Sequence, residues 1–531
     1  MIPRDCLERC ARNYADKVAY HCGDRTETWA QIHARSIRLA EALRKLGVAT
    51  GDVVAVLGQE SIEIYEHFFA CMHAGFVRVG INWRYAAPEA IHIIEDSAAR
   101  VLLVDSRCSA LFHEIRDHVR RAGIRTIGYG SGHECEYDYA VFLDQGAEKS
   151  GIVPVPGKPA EIASSDPLLI TYTSGSTGKP KGVIHTHGSV LNIITQSIIA
   201  RGLSPDDIWY TAAASSWMTI ILNVQGIMNS MTHVIMDRAF EIRRFLRDIE
   251  RRRATAVMLV PPLIARAIEE TRSGSYDLTS LRVLMYGSSP ASPELIQAAY
   301  DAFGCDMIQS YGMTEGGWVT QLSASDHRYA IENDPGLLKS VGRPGIMSEL
   351  SIRDSDGAML PDGASGEIWI HSEMLMRGYI NLADETAAVL QDGWLRSNDI
   401  GRIDENGYLF LQDRKNLLII SGAVNVFPSS VEAILKEHDV VEQVVVVGAP
   451  HPEWGEAVVA VVRVKNGFAI SGQELISFAQ LRLSRMECPK HVLFVDDFPV
   501  TLTGKINKQA VKSWVAQLQD QMPWQAAITS G

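Results

Sequence analysis

A chain of 531 residues is too long for one hydrophobic core and predicts two or more domains. Its 46% hydrophobic and 21% charged residues are those of a globular protein with ample apolar surface to bury, which excludes a disordered or fibrous chain. A formal net charge of −13 argues against nucleic acid as a partner, no apolar stretch is long enough to span a bilayer, and MIPRDCLERCARNY lacks the apolar segment of a secretory signal, so the expectation is a cytoplasmic protein.

The first third alternates helical and strand patterns. TWAQIHARSIRLAEALRKLGV is amphipathic at helical spacing, DVVAVLG reads as a short buried strand, EIYEHFFACMHAGF as a helix, and AAPEAIHIIEDSAA followed by VLLVD repeats the pair. This alternation predicts an α/β domain with largely parallel, buried strands. From Gly146 to Pro167, several Pro, Gly and Ser residues read as a surface connection.

Next comes TYTSGSTGKPKGVIHTH, from Thr171 to His187, directly after the apolar run LLI. Glycines let backbone N–H groups approach an anion, hydroxyls add donors and lysines add charge, so the stretch suits phosphate. The spacing is not GxxxxGK[ST], because Pro180 and Val183 stand where that motif needs glycine. Composition alone favours a flexible surface turn. The setting favours phosphate: the loop lies between a strand-like run and the amphipathic stretch GSVLNIITQSII, an expected strand–loop–helix unit.

Further on, EIRRFLRDIERRRATAVMLVPP and SLRVLMYGSSPASPELIQAAYDAFG each join an amphipathic helix to a buried strand, and the arginines of the first read as a solvated helix face. From Val341 to Tyr408 short strands and turns such as ELSIRDSDGAML and GEIWIHS predict a β-rich subdomain. The last hundred or so residues return to α+β patterning, with VVEQVVVVGAP as a strand, SGQELISFAQLRL as a helix and a boundary near QDRKNLLIISG. The 8 cysteines show no CxxC pair or zinc spacing and read as reduced structural thiols.

Several of these stretches, in this order, resemble one family. The phosphate-loop candidate, YGMTEGG, QDGWLRSNDIGRIDENGYL, DRKNLLIISGAVNVFP and PVTLTGKINK are similar to the signatures of the adenylate-forming enzymes, which include acyl- and aryl-CoA synthetases, the adenylation domains of peptide synthetases and firefly luciferase. The resemblance covers nearly the whole chain. It implies an α/β fold: a large N-terminal region of two α/β subdomains plus a β-barrel-like subdomain, and a small mobile α+β C-terminal domain. The domains it implies are residues 1–414 for AMP binding and adenylation and residues 415–531 for the mobile part. The implied reaction activates a carboxylic acid with ATP and Mg2+ through an acyl-adenylate, then transfers the acyl group to CoA as co-substrate. A free-standing adenylation enzyme that loads a carrier-protein phosphopantetheine is the alternative, and a catalytically impaired nucleotide- or acyl-binding protein is a third reading.

Carried over residue by residue, the resemblance gives Thr173, Ser174, Gly175, Ser176, Thr177, Gly178 and Lys181 to the β- and γ-phosphates. Glu315 would hold Mg2+ and Thr314 would contact the α-phosphate, with Tyr311 and Gly312 at the adenine and Gly287, Ser288, Ser289 and Pro290 lining its other side. Asp399, assisted by Arg414, would accept from the ribose hydroxyls. A lysine in a Gly-Lys turn is ordinarily a solvated charge, but the resemblance makes Lys505 the catalytic residue that neutralises charge between carboxylate and α-phosphate. Trp217, Tyr286, Met313 and Trp318 are candidates for an apolar or aromatic acid pocket, or equally for core packing. The chain departs from the family at Asn398, where Gly is common, at the hinge position Asn416, and at Ala423, Val424 and Ser430. It also has Lys508 where the family often has Arg.

Overall fold

Short runs of β-branched and other apolar residues build the first sheet. Val53–Leu57, Val77–Ile81 and Val101–Asp105 are buried at every position. Alternate residues of these strands face two different cores. Val54, Val56 and Leu103 pack with helices Trp29–Lys45 and Ile62–Ala74, while Val53, Ala55, Leu57 and Leu102 pack with helices Ala87–Asp96 and Ser109–Arg121. A strand covered on both faces has no polar side, which is why it reads as a continuous apolar run. The computed structural model describes residues 1–147, 161–174, 180–237, 240–414, 417–421, 424–451, 454–500, 506–518 and 522–526.

The first sheet has eight strands in the order Gly378–Tyr379, Pro180–Thr186, Pro167–Ser174, Val77–Ile81, Val53–Leu57, Val101–Asp105, Arg125–Tyr129 and Tyr137–Asp138. It is parallel from Pro167–Ser174 onward and antiparallel at the Pro180–Thr186 end. A second sheet has nine strands, with a parallel centre formed by Asp306–Met313, Val283–Gly287, Ala256–Leu259, Ile208–Thr211, Thr232–Ile235 and Val18–Cys22. Gly317–Leu322 extends it as an antiparallel hairpin after Asp306–Met313.

The chain divides into two compact units: residues 1–350, 369–396 and 407–409, and residues 351–368, 397–406 and 410–531. The β-rich texture expected between Val341 and Tyr408 is a five-stranded sheet that includes Ser348–Arg353, Gly366–Ser372 and Trp394–Ile403, and the division runs through its strands. In the second unit the long hairpin Val441–His451 and Gly455–Val464 is the centre. Val444, Val446 and Val458 on one face pack with Val431, Leu435 and Leu475, and Val445, Val447 and Val461 on the other pack with Val511 and Val515.

All eight cysteines are free, and all but Cys135 are buried. No helix among the described residues is long and apolar enough to cross a membrane.

Candidate active site

The strands on either side of the glycine-rich stretch pair antiparallel. Pro167–Ser174 pairs with Pro180–Thr186, with Thr173 opposite Lys181 and Ser174 opposite Pro180. This corrects the expected strand–loop–helix unit: a strand intervenes before helix His187–Arg201. The reason lies in the alternation of Val183, Ile184 and His185, which buries Val183 and His185 while Ile184 stays half-buried. Gly175, Ser176, Thr177 and Gly178 lie outside the described residues, as does the side chain of Ser174.

His185 ties this hairpin to the second sheet. Its Nε2 lies 2.7 Å from the Thr314 carbonyl and its Nδ1 lies 3.2 Å from the Ser189 hydroxyl. A carbonyl only accepts, so Nε2 carries the proton and Nδ1 accepts from Ser189. Burial lowers the His185 pKa to about 4, so the ring is neutral near pH 7. Thr314 is thereby held next to a strand from a different sheet.

Glu315 is fixed from the edge. The short strand Gly378–Tyr379 pairs with Val183 and Ile184, and the Met376 N–H donates to the Glu315 carbonyl at 2.8 Å. Tyr379 then donates its hydroxyl to Glu315 Oε1 at 2.9 Å. Burial, reinforced by the Glu315 carboxylate, pushes the phenol upward, so it stays a donor. Lys181 pairs with Glu385 and lies 5.5 Å from the centre of the Tyr379 ring. A carboxylate has room for several donors or a cation, so one hydrogen bond orients Glu315 without saturating it. Among the described residues no three His, Cys, Asp or Glu side chains cluster to hold a metal by themselves. Glu315 therefore fits a cation such as Mg2+ that takes its other oxygens from a bound phosphate.

The two motifs expected at the adenine lie side by side because their strands are parallel neighbours, with Gly287 opposite Ser310. A Cβ on Gly287 would stand 2.4 Å from the Ser310 carbonyl oxygen, so only glycine permits this approach. Ser288 follows in a left-handed conformation, φ +66°, turning Ser289 and Pro290 away from the strand. Tyr311 is buried on the neighbouring strand. At Gly312 a Cβ would meet the Gly317 carbonyl oxygen at 2.0 Å.

The pocket candidates separate. Met313 faces Gly317, and Trp318 faces Gly312, across one hairpin, and both are half-buried. Tyr286 is fully buried with its hydroxyl 2.8 Å from His327 Nε2. Trp217 lies half-buried in the loop after Ile208–Thr211, a loop held by Arg78 Nη2 on the Ser215 carbonyl at 2.9 Å and Asn82 Nδ2 on Ser216 Oγ at 3.1 Å.

In the second unit Asp399 is buried in strand Trp394–Ile403, and its N–H donates to Ser397 Oγ at 3.0 Å. Asn398 before it has φ +59°, a left-handed conformation that glycine takes freely and that Asn tolerates among L residues. That accounts for the substitution of the family's common glycine. Arg414 ends strand Leu409–Arg414, and its side chain, like the residues Asn416 and Lys505, lies outside the described residues. A Val500–Ile506 bridge joins the residues that flank the stretch carrying Lys505, and Lys508 Nζ pairs with buried Glu432 at 2.8 Å.

His185, Tyr379 and Glu385 were not legible as site residues. His185 could have been found as a lone polar ring in an apolar strand; the other two act only through non-local pairing.

Comparison with known proteins gives the family. Residues 7–380 match the model for AMP-binding enzymes and residues 430–505 that for the AMP-binding enzyme C-terminal domain. The chain is 33% identical over 503 residues to a fatty acid–[acyl-carrier-protein] ligase, ScoC, of Streptomyces coeruleorubidus, covering 92% of each. It is 33% identical over 518 residues to an indoleacetate–CoA ligase of Aromatoleum aromaticum, covering 96% of this chain and 98% of that one. Among solved structures, the amide bond synthetase McbA from Marinactinospora thermotolerans superposes with a TM-score of 0.85 at 30% identity, over 97% of this chain and 99% of that one. The chain belongs to the AMP-binding enzymes, the adenylate-forming family that includes acyl- and aryl-CoA ligases.

Proposed function

We propose that this chain activates a carboxylic acid with ATP and passes the acyl group to CoA, giving an acyl- or aryl-CoA thioester, AMP and pyrophosphate, in the cytoplasm. The observation that carries the reading is the junction at Thr314 and Glu315, where His185 and Tyr379 hold a carbonyl and a carboxylate against the base of the glycine hairpin.

In this reading Thr173, Ser174, Gly175, Ser176, Thr177, Gly178 and Lys181 hold the β- and γ-phosphates, and Thr314 orients the α-phosphate. Glu315 would hold Mg2+, which when bound would supply positive charge against the phosphates. Asp399 and Arg414 take the ribose, and Tyr311, Gly312 and Gly287 to Pro290 enclose the adenine. The acid lies between the Trp217 loop and the hairpin that carries Met313 and Trp318, with Tyr286 packed in the core behind it. Its carboxylate oxygen attacks the α-phosphorus, the bond to the bridging oxygen breaks, and pyrophosphate leaves. Lys505 neutralises the charge that builds between carboxylate and phosphate. Residues 415–531 then swing about Asn416, the CoA sulfur attacks the acyl carbon, and AMP departs.

A second reading keeps the first half-reaction and changes the acceptor to a carrier-protein phosphopantetheine. Two observations favour it: the departures at Ala423, Val424 and Ser430, and the likeness to a ligase named for a carrier protein.

The test is twofold. Lys505→Ala is expected to lower acid-dependent pyrophosphate release by roughly a hundredfold or more; unchanged release rejects the assignment. With wild-type enzyme, CoA and a holo-carrier protein are then compared as acceptors. Thioester on CoA supports the first reading, and thioester on the carrier alone replaces it with the second.

A further inference from the structure

Arg201 ends helix His187–Arg201 with only 3% of its surface accessible. Its Nε donates to the Met285 thioether at 2.7 Å, its Nη1 donates to the Ser197 hydroxyl, and its guanidinium lies 5.5 Å from the centre of the Trp318 ring. Every one of these partners is neutral. Among the described residues no carboxylate stands within ion-pairing distance, and burial alone lowers its pKa, to about 9. The guanidinium therefore stays charged at pH 7. Arg78, equally buried, differs: the Glu60 carboxylate contributes to its electrostatic surroundings.

The neighbours of Arg201 add donors rather than acceptors. Ser197 accepts from Arg201 and passes its own proton to Gln225 Oε1, which leaves the Gln225 Nε2 donor buried with no partner. A buried charge without a counter-charge is costly, and buried donors are normally satisfied. The cluster lacks an anionic acceptor.

Its place in the fold indicates where that acceptor comes from. Gln225 closes helix Thr219–Val224, which begins two residues after Trp217. Six helical residues span roughly 9 Å. Trp318 connects the other side: it is half-buried, packs against two apolar clusters and lies against Arg201. Gln225 thus lies roughly 9 Å along the helix axis from the Trp217 loop, about the length of a medium-chain acid.

We propose that Arg201 and Gln225 receive a second carboxylate at the far end of the substrate, so that the acids activated by this chain are dicarboxylic. The inference rests on the acid-activating reading above. Arg201 offers a fork of N–H groups that matches both oxygens of a carboxylate, and Gln225 Nε2 adds a third donor. A plain hydrocarbon tail would leave the Arg201 charge without a counter-charge and Gln225 Nε2 without an acceptor, and a site built to hydrogen-bond a group rejects the analogue that lacks it.

The test uses the full-length protein in a pyrophosphate-release assay with length-matched pairs, octanoic with octanedioic acid and benzoic with terephthalic acid, extended to shorter and longer members. In at least one pair the dicarboxylic acid is expected to show a kcat/KM roughly a hundredfold above its partner. Arg201→Met is expected to bring that ratio close to one, while Arg201→Lys keeps part of it. Partial misfolding of a variant lowers both members of a pair alike and leaves the ratio readable; should a variant not fold, the wild-type ratios decide. Monocarboxylic acids turned over as well as their partners in every pair, or a ratio unchanged by Arg201→Met, overturns this inference and leaves acid activation standing. No release with any acid overturns both.

Discussion

Tyr379 donates to Glu315 at 2.9 Å while Lys181 lies over its ring, so a single side chain positions two charges of opposite sign. Removing the hydroxyl leaves the ring and its packing but frees the carboxylate to rotate. A lost hydrogen bond to a charged group is worth about 1.5–3 kcal/mol. Tyr379→Phe is therefore expected to lower the adenylation kcat by roughly tenfold or more with little change in melting temperature, read by pyrophosphate release and thermal unfolding. An unchanged kcat would show that Glu315 keeps its orientation without the phenol. Thr314 and Glu315 could be named from YGMTE because a short local motif carries them. Tyr379 could not, because its position depends on pairing with Val183, almost two hundred residues earlier in the chain.

The helix that follows Lys505 in the chain is anchored by an ion pair. Lys508 opens helix Lys508–Gln517, where a cation opposes the helix dipole, and Glu432 from helix Pro428–Lys436 offsets it at 2.8 Å. Glu432 is buried and also accepts from the Val446 N–H at 3.0 Å, so it cannot relax toward solvent. Burial raises its pKa against the opposing pull of Lys508. Lys508→Met is expected to destabilise the second unit by about 1–3 kcal/mol and to lower adenylation, whereas Lys508→Arg keeps both. Limited proteolysis with pyrophosphate release checks this; equal protease resistance in both variants would count against the anchor. Elements of this kind were unevenly legible. VVAVL and VVVVGA read as strands because they are buried on both faces and carry the pattern by themselves. The strand Pro180–Thr186 was hidden behind the glycines and prolines of the loop it follows, and Gly378–Tyr379 is too short to bear any pattern.

Across the whole molecule, buried neutral histidines link folding to pH. Burial lowers His67 and His233 to about 3 and His185 and His327 to about 4, all below the ordinary value of 6.5. In the unfolded chain these rings take up protons as pH falls through 6.5, while in the folded chain they resist until about pH 4 or below. Stability from these groups is full above pH 6.5 and is lost as pH falls toward 4. Each contributes on the order of a few kcal/mol, since one pKa unit is about 1.4 kcal/mol. The urea midpoint is expected to drop steeply between pH 6.5 and 4, followed by circular dichroism; a flat profile over that interval would exclude the coupling. The buried thiols have a different, practical consequence. Burial pushes Cys10 up to about 11 and Cys22, Cys71, Cys108 and Cys305 up to about 12, so few of them exist as reactive thiolate at neutral pH. Half-buried Cys135 is likewise pushed up to about 11, so the native protein is expected to react slowly with a thiol-reactive dye, and consumption of a thiol acceptor can then be followed by colour in real time.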